Sequence, residues 1–168
     1  METIIIELKM NEILYDVQNK TYLTGKSRKD GSNHERVANM QANDDEENAN
    51  QLLRSVAMAF SKLKMRLGEY LDQTATSANN TLLDPSDDIT LGLTMPSNYN
   101  RATVGVLANA AHQYIVSLAV AEWFTITNKS DAKDYAVLAE ESLALITEAA
   151  SKRVRPRHPN EPKEGQAS

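Results

Sequence analysis

Between Tyr99 and Arg157 the sequence twice repeats apolar residues at helical spacing, and this pair of stretches constrains the fold more than any other feature of the chain. In the first, Val104, Leu107, Ala111, Tyr114, Ile115, Leu118, Ala121 and Phe124 recur at three- and four-residue steps. That is one apolar stripe on a helix, and it must be buried. The segment Thr127 to Asp131 interrupts the pattern with residues that favour caps and turns, and Asp131 is placed to accept from the amides opening a second helix. A link this short makes consecutive helices antiparallel neighbours. The second helix carries Tyr135, Leu138, Ala139, Leu143, Ile146, Ala149 and Ala150 on one side, with Asp134, Glu140, Glu141 and Glu148 largely off that stripe. It closes in Lys152, Arg153, Arg155, Pro156 and Arg157, where cations suit the negative end of a helix and proline stops it.

Upstream, the β-branched run Thr3 to Leu8 reads as a short strand that needs a partner. From Asp88 to Met95, Ile89, Leu91, Leu93 and Met95 alternate with polar residues or glycine, so the two segments are expected to pair. Between them, Ile13, Leu14 and Val17 predict a short helix over Asn11 to Leu23, followed by a loop from Gly25 to Gly31. Asp44 and Glu47 have the spacing of a capping box, with aspartate in place of Ser or Thr. Leu52, Leu53, Val56, Phe60, Leu63, Leu67, Tyr70 and Leu71 then predict a long helix, with Arg54, Lys62, Lys64 and Arg66 on its other sides. The polar stretch Gln73 to Ser86 reads as a loop. The expected architecture is mainly α: a bundle of three long helices plus a short one, with a small two-stranded β element (strands near 3–8 and 88–95). One domain spans 1–154, and an extended, basic, proline-rich tail spans 155–168. That tail has no apolar periodicity and should be ordered only by a partner.

Composition narrows the function. A chain of 168 residues suits one domain with a real core. There is no cysteine, which excludes disulfides, thiolate metal sites and cysteine nucleophiles. A net charge of −5 argues against a protein built mainly to hold nucleic acid by neutralising phosphates. The most apolar window, Val104 to Ile126, contains Asn109, His112, Gln113 and Glu122, which are costly in hydrocarbon, and the opening Met-Glu-Thr-Ile lacks a basic leader region. The expectation is a chain neither membrane-bound nor secreted.

His34, His112 and His158 fall on a loop, a helix and the tail, and none has a carboxylate or histidine at i+3 or i+4 arranged as a metal clamp; His112 reads as a helix-packing or interface residue. No Gly-rich phosphate loop, Gly-x-Ser-x-Gly elbow or His-Glu-x-x-His pair occurs. The expectation is therefore no enzyme, no catalytic or metal residues and no cofactor. Trp123 and Phe124 are adjacent and point about 100° apart on a helix, so one should be core and the other flank. The sharper alternative makes Trp123 a contact to a neighbouring subunit. The cluster Lys152, Arg153, Arg155, Arg157 is either a helix cap with solvated charge or a docking arm. The candidate partner-binding residues are thus Trp123, Lys152, Arg153, Arg155, Pro156 and Arg157.

The run Tyr114-Ile-Val-Ser-Leu-Ala-Val-Ala-Glu-Trp-Phe-Thr-Ile-Thr-Asn-Lys-Ser-Asp-Ala-Lys-Asp-Tyr135, continuing to Lys152-Arg-Val-Arg-Pro-Arg157, resembles the closing helices of phage head-to-tail connector (adaptor) proteins. In that pattern a helix ends near an aromatic pair, a short turn holds Asp-Ala and a tyrosine, and the next helix ends in basic residues and proline. The opening Thr-Ile-Ile-Ile-Glu-Leu, the segment Thr21-Tyr-Leu-Thr-Gly25 and the acidic helix start near Asp44 also resemble structural proteins of phages and prophages of gut bacteria. This chain is longer than the small connectors. The resemblance implies a non-enzymatic virion protein forming a ring, commonly a dodecamer. Its partners would be copies of itself, the portal protein, and the stopper or tail protein, with DNA passing through a channel without specific binding and no membrane involved. It would lie in the virion neck after assembly in the bacterial host cytoplasm, and the terminal helices and basic tail would contact the portal. The residues also support an alternative, a small helical regulator or nucleic-acid-binding module. Arg54, Lys62 and Arg66 lie within about 120° on a helical wheel and would act with the tail arginines.

Overall fold

The computed structural model describes residues 1–78 and 84–156. Strand β1 (Glu2–Leu8) leads into α1 (Met10–Ser27), α2 (His34–Met40) and α3 (Glu46–Arg66). Then come β2 (Ile89–Met95), a 3-10 turn (Arg101–Thr103), α4 (Val104–Thr127) and α5 (Lys129–Ser151). The mainly helical architecture with a small antiparallel sheet is as the periodicity predicts.

Helix α4 is the axis of the molecule. It packs along most of its length on α5 and also touches α1, α2, α3 and β1. Val116, Ala119, Val120 and Trp123 are buried as well as Leu107, Ala111, Ile115 and Phe124, so the single stripe expected from spacing is too narrow. A helix enclosed from several sides must be apolar on several sides. This placement accounts for the apolarity of Arg101–Thr127, a segment long and apolar enough to cross a membrane by length and composition; 56% of its most apolar window is buried inside the fold.

The sheet pairs Ile4 with Leu93 and Ile6 with Leu91 in antiparallel register, which turns Ile4, Ile6 and Leu8 inward and Thr3, Ile5 and Glu7 outward. The stretch after α3, of which Gln73 to Ser86 was expected as a plain loop, hydrogen-bonds along the other edge of β2. The amide of Thr94 donates to the Tyr70 carbonyl (2.6 Å), that of Asp72 to Gly92 (2.9 Å) and that of Ser77 to Thr90 (2.9 Å). These bonds satisfy an edge that would otherwise invite non-native pairing. Gly92 is required at this crossing, because a Cβ there would lie 2.5 Å from the Ala75 Cβ.

Several local expectations are corrected. Helix α1 runs on through Gly25, where a loop was expected; that glycine lets α2 approach, the Val37 carbonyl lying 3.2 Å from where its Cβ would be. His34 opens α2, a helix the sequence pattern did not predict, rather than lying in a loop. Helix α3 begins at Glu46 and ends at Arg66, short of Tyr70 and Leu71. The capping box does not form, and the Asp44 carboxylate instead accepts from the Gln18 side chain at 2.7 Å. Leu138, placed on the buried stripe of α5, is 45% exposed. Asp131 does not cap α5 but binds Arg28 and Asn128.

The first residues after α5 are fastened to the link between β2 and α4. The Asn100 amide donates to the Lys152 carbonyl (3.1 Å), Tyr99 and Arg153 form an antiparallel bridge, and the Val154 amide donates to Asn98 (2.8 Å). Arg155 and Pro156 are exposed. The remainder of the tail, including Arg157 and His158, lies outside the described residues.

Candidate interaction surface

Trp123 is brought into the core. Phe124 is fully buried beside it, and the Trp123 indole N–H donates to the Met40 carbonyl at 2.8 Å. The reading of one aromatic as core and the other as flank is thus corrected: both are inside, because α2 crosses over α4 and supplies the second wall. A side chain spent in this way does not present a subunit-contact hot spot.

The basic cluster divides. Lys152 binds Glu148 one turn back on α5 (2.8 Å), and this hydrogen bond together with the ammonium charge holds the Glu148 carboxyl below the usual range. Arg153 folds back: its guanidinium donates to the carbonyls of Ala150 (2.9 Å) and Lys152 (3.1 Å) and reaches the Tyr70 hydroxyl at 3.4 Å. These carbonyls end α5 without intrahelical partners, so Arg153 acts as a helix cap. Arg155 and Pro156 remain free to meet a partner, and Arg157 lies outside the described residues.

Polar pairs lock the helices together. His112 on α4 meets Asp16 on α1 at 2.6 Å, so this histidine sits at a helix-packing contact. The Thr24 and Tyr135 hydroxyls are 2.8 Å apart, joining α1 to α5. Among the described residues no group of three or more His, Asp or Glu could hold a metal ion. A concavity of about 240 Å³ lies between α1 and α2, lined by Tyr22, Lys26, Lys29, His34 and Val37. Another of about 530 Å³ flanks the end of α3, lined by Lys64, Met65, Leu71 and Thr76.

Two outer helix faces stand out. On α3, Met58 and Met65 are exposed among Arg54, Lys62 and Arg66, and from Asn50 to Arg66 the helix has no carboxylate. Lys64 is turned away from this face. Its ammonium lies 4.9 Å from the centre of the Phe60 ring and donates to the Ser77 carbonyl (3.3 Å), and burial lowers its pKa. On α5, Val137, Leu138 and Leu145 are exposed among Asp134, Glu140, Glu141 and Glu148. Methionine and leucine at helical spacing read as core, so sequence alone hides such faces; the available signal was that both methionines fall off the buried Leu52 to Leu67 stripe.

Comparisons of the chain with models of protein families, with curated proteins and with solved structures found no significant match.

Proposed function

We propose that this chain is a structural protein of a phage neck. Copies of it form a ring that joins the portal to the stopper or tail and leaves a channel for DNA. The observation that carries the reading is the pair of outward faces on α3 and α5, each with large apolar side chains exposed. Both helices pack on α4, so one subunit offers two different surfaces, as a head-to-tail ring requires. The resemblance of Tyr114 to Arg157 to connector helices supports the same reading. So does the net charge of −5, since a duct for DNA should not grip the polyanion passing through it. Arg155, Pro156 and Arg157 are assigned to the portal-facing arm.

Native mass spectrometry and negative-stain microscopy of the purified chain, with and without portal, test the proposal. Rings of defined copy number are expected, either free or on the portal. A chain that neither assembles nor binds portal would refute it.

A second reading, a nucleic-acid-binding module, is favoured by one observation: Arg54, Lys62 and Arg66 share an exposed face of α3, although Lys62 lies 3.9 Å from Glu122 of α4. Binding of duplex DNA at micromolar affinity in physiological salt, falling steeply as salt rises, would support it. Absence of such binding would remove it.

A further inference from the structure

We infer that the contact between neighbouring copies is made by the outer face of α3 of one subunit seated on the outer face of α5 of the next. The inference rests on the ring reading and specifies its subunit interface. The two helices are 21 and 23 residues long, so they can run beside each other over nearly their whole lengths. Each presents an apolar strip: Met58 and Met65 on α3, and Val137, Leu138 and Leu145 on α5. Methionine, unbranched and polarizable, adapts to an irregular leucine and valine surface.

Charge selects the pairing. From Arg54 to Arg66 the charged side chains on the α3 face are cationic, after a first turn that carries Glu46 and Glu47, and the α5 face is predominantly anionic, with Lys133 among its carboxylates. An α3–α3 or α5–α5 contact across a two-fold axis would oppose like charges, whereas α3 against α5 places cations by carboxylates. Lys62 already lies 3.9 Å from Glu122 of its own subunit, and Glu148 is held by Lys152. The cross-subunit attraction therefore falls to Arg54 and Arg66 on one side and to the exposed carboxylates Asp134, Glu140 and Glu141 on the other. Because the two surfaces differ, the contact repeats from copy to copy and closes only as a ring.

The test uses the full chain. Reversing charge on α3 (Arg54→Glu with Arg66→Glu) or on α5 (Asp134→Lys with Glu141→Lys) should each weaken association by at least about tenfold in concentration. These side chains are exposed, and circular dichroism should show both variants folded. An equimolar mixture of the two should assemble again, with the variants alternating, because every α3–α5 contact is then complementary. The chain contains no cysteine, so a Met58→Cys, Val137→Cys variant with otherwise native charge should form a ladder of intermolecular disulfides on mild oxidation. Reversals that leave assembly unchanged, a mixture that does not recover, or a double-cysteine chain without a ladder would each overturn the contact. Assembly that persists through both reversals refutes this interface and leaves a ring built on other surfaces. A disulfide ladder that never closes refutes the ring and leaves the interface.

Discussion

Arg28 and Asp131 hold the end of α1 against the turn between α4 and α5: the Arg28 Nε donates to Asp131 Oδ2 at 3.1 Å, and Nη2 reaches the other carboxylate oxygen. Asp131 is buried and also accepts from the side chain of the buried Asn128. The hydrogen bond from Arg28 lowers the Asp131 pKa most, burial opposes it, and the Asn128 hydrogen bond and the guanidinium charge lower it further. With the folded pKa below the unfolded value of about 3.9, this stabilisation is complete above that value and is lost as pH falls through the folded pKa. Asp131→Ala should cost about 1–3 kcal/mol at pH 7, because it strands the buried Asn128 amide. Urea unfolding at pH 7 and pH 2.5 checks this: the gap between native chain and variant should narrow at the acid end.

The sole tryptophan provides its own probe. Native emission should be blue-shifted, as for a buried indole, and should move to the red on unfolding. Trp123→Phe leaves the Met40 carbonyl without its partner and should cost about 1–3 kcal/mol. On the proposed ring, assembly by the folded variant should be unchanged; a stable variant unable to assemble would return Trp123 to the interface.

Gly92→Ala should destabilise the fold by about 1–3 kcal/mol through overpacking against Ala75. Pairing it with Ala75→Gly should recover much of the loss, since removing the opposing methyl opens the space. A double-mutant cycle by chemical denaturation measures the coupling, and near-additive losses would contradict the close crossing.

Arg153 and Arg155 should separate stability from docking. Arg153→Ala removes donors to two carbonyls and should cost about 0.5–1.5 kcal/mol. Arg155→Ala should leave stability within about 0.5 kcal/mol and, if the neck proposal holds, weaken portal binding. Thermal melts and a portal pull-down read the two effects. Deleting Pro156 to Ser168 should likewise shift the melting temperature by only about a degree or two.

The elements that were legible in the sequence are those whose side chains alternate between core and water. Ile4 and Ile6 declare a strand because every second residue of β1 is inside; in β2 the large residues Leu91 and Leu93 alternate in the same way, although Gly92 between them is buried too. The core positions of α5 are visible for the analogous helical reason. Helix α2 was not legible because only Val37 and Met40 anchor it, too few to establish a period. Gly25 is not legible because a glycine among Lys, Ser and Arg suggests a turn, whereas here it relieves a helix crossing fixed by distant residues. The capping box failed for a similar reason: Gln18, far off in sequence, claims the Asp44 carboxylate. At the surface, sequence identified the basic cluster but not its division, since Arg153 turns back to carbonyls that only the folded chain brings near.

The fastening of Lys152 to Val154 onto Asn98 to Asn100 also determines how the molecule bears load. A pull on the tail does not begin by unwinding the last turn of α5. It first meets the short backbone pairing that joins Arg153 to Tyr99 and Val154 to Asn98, and passes from there into the link between β2 and α4. Strand β2 is bonded along both edges and α4 is gripped from several sides, so tension enters through two of the most firmly held elements of the subunit.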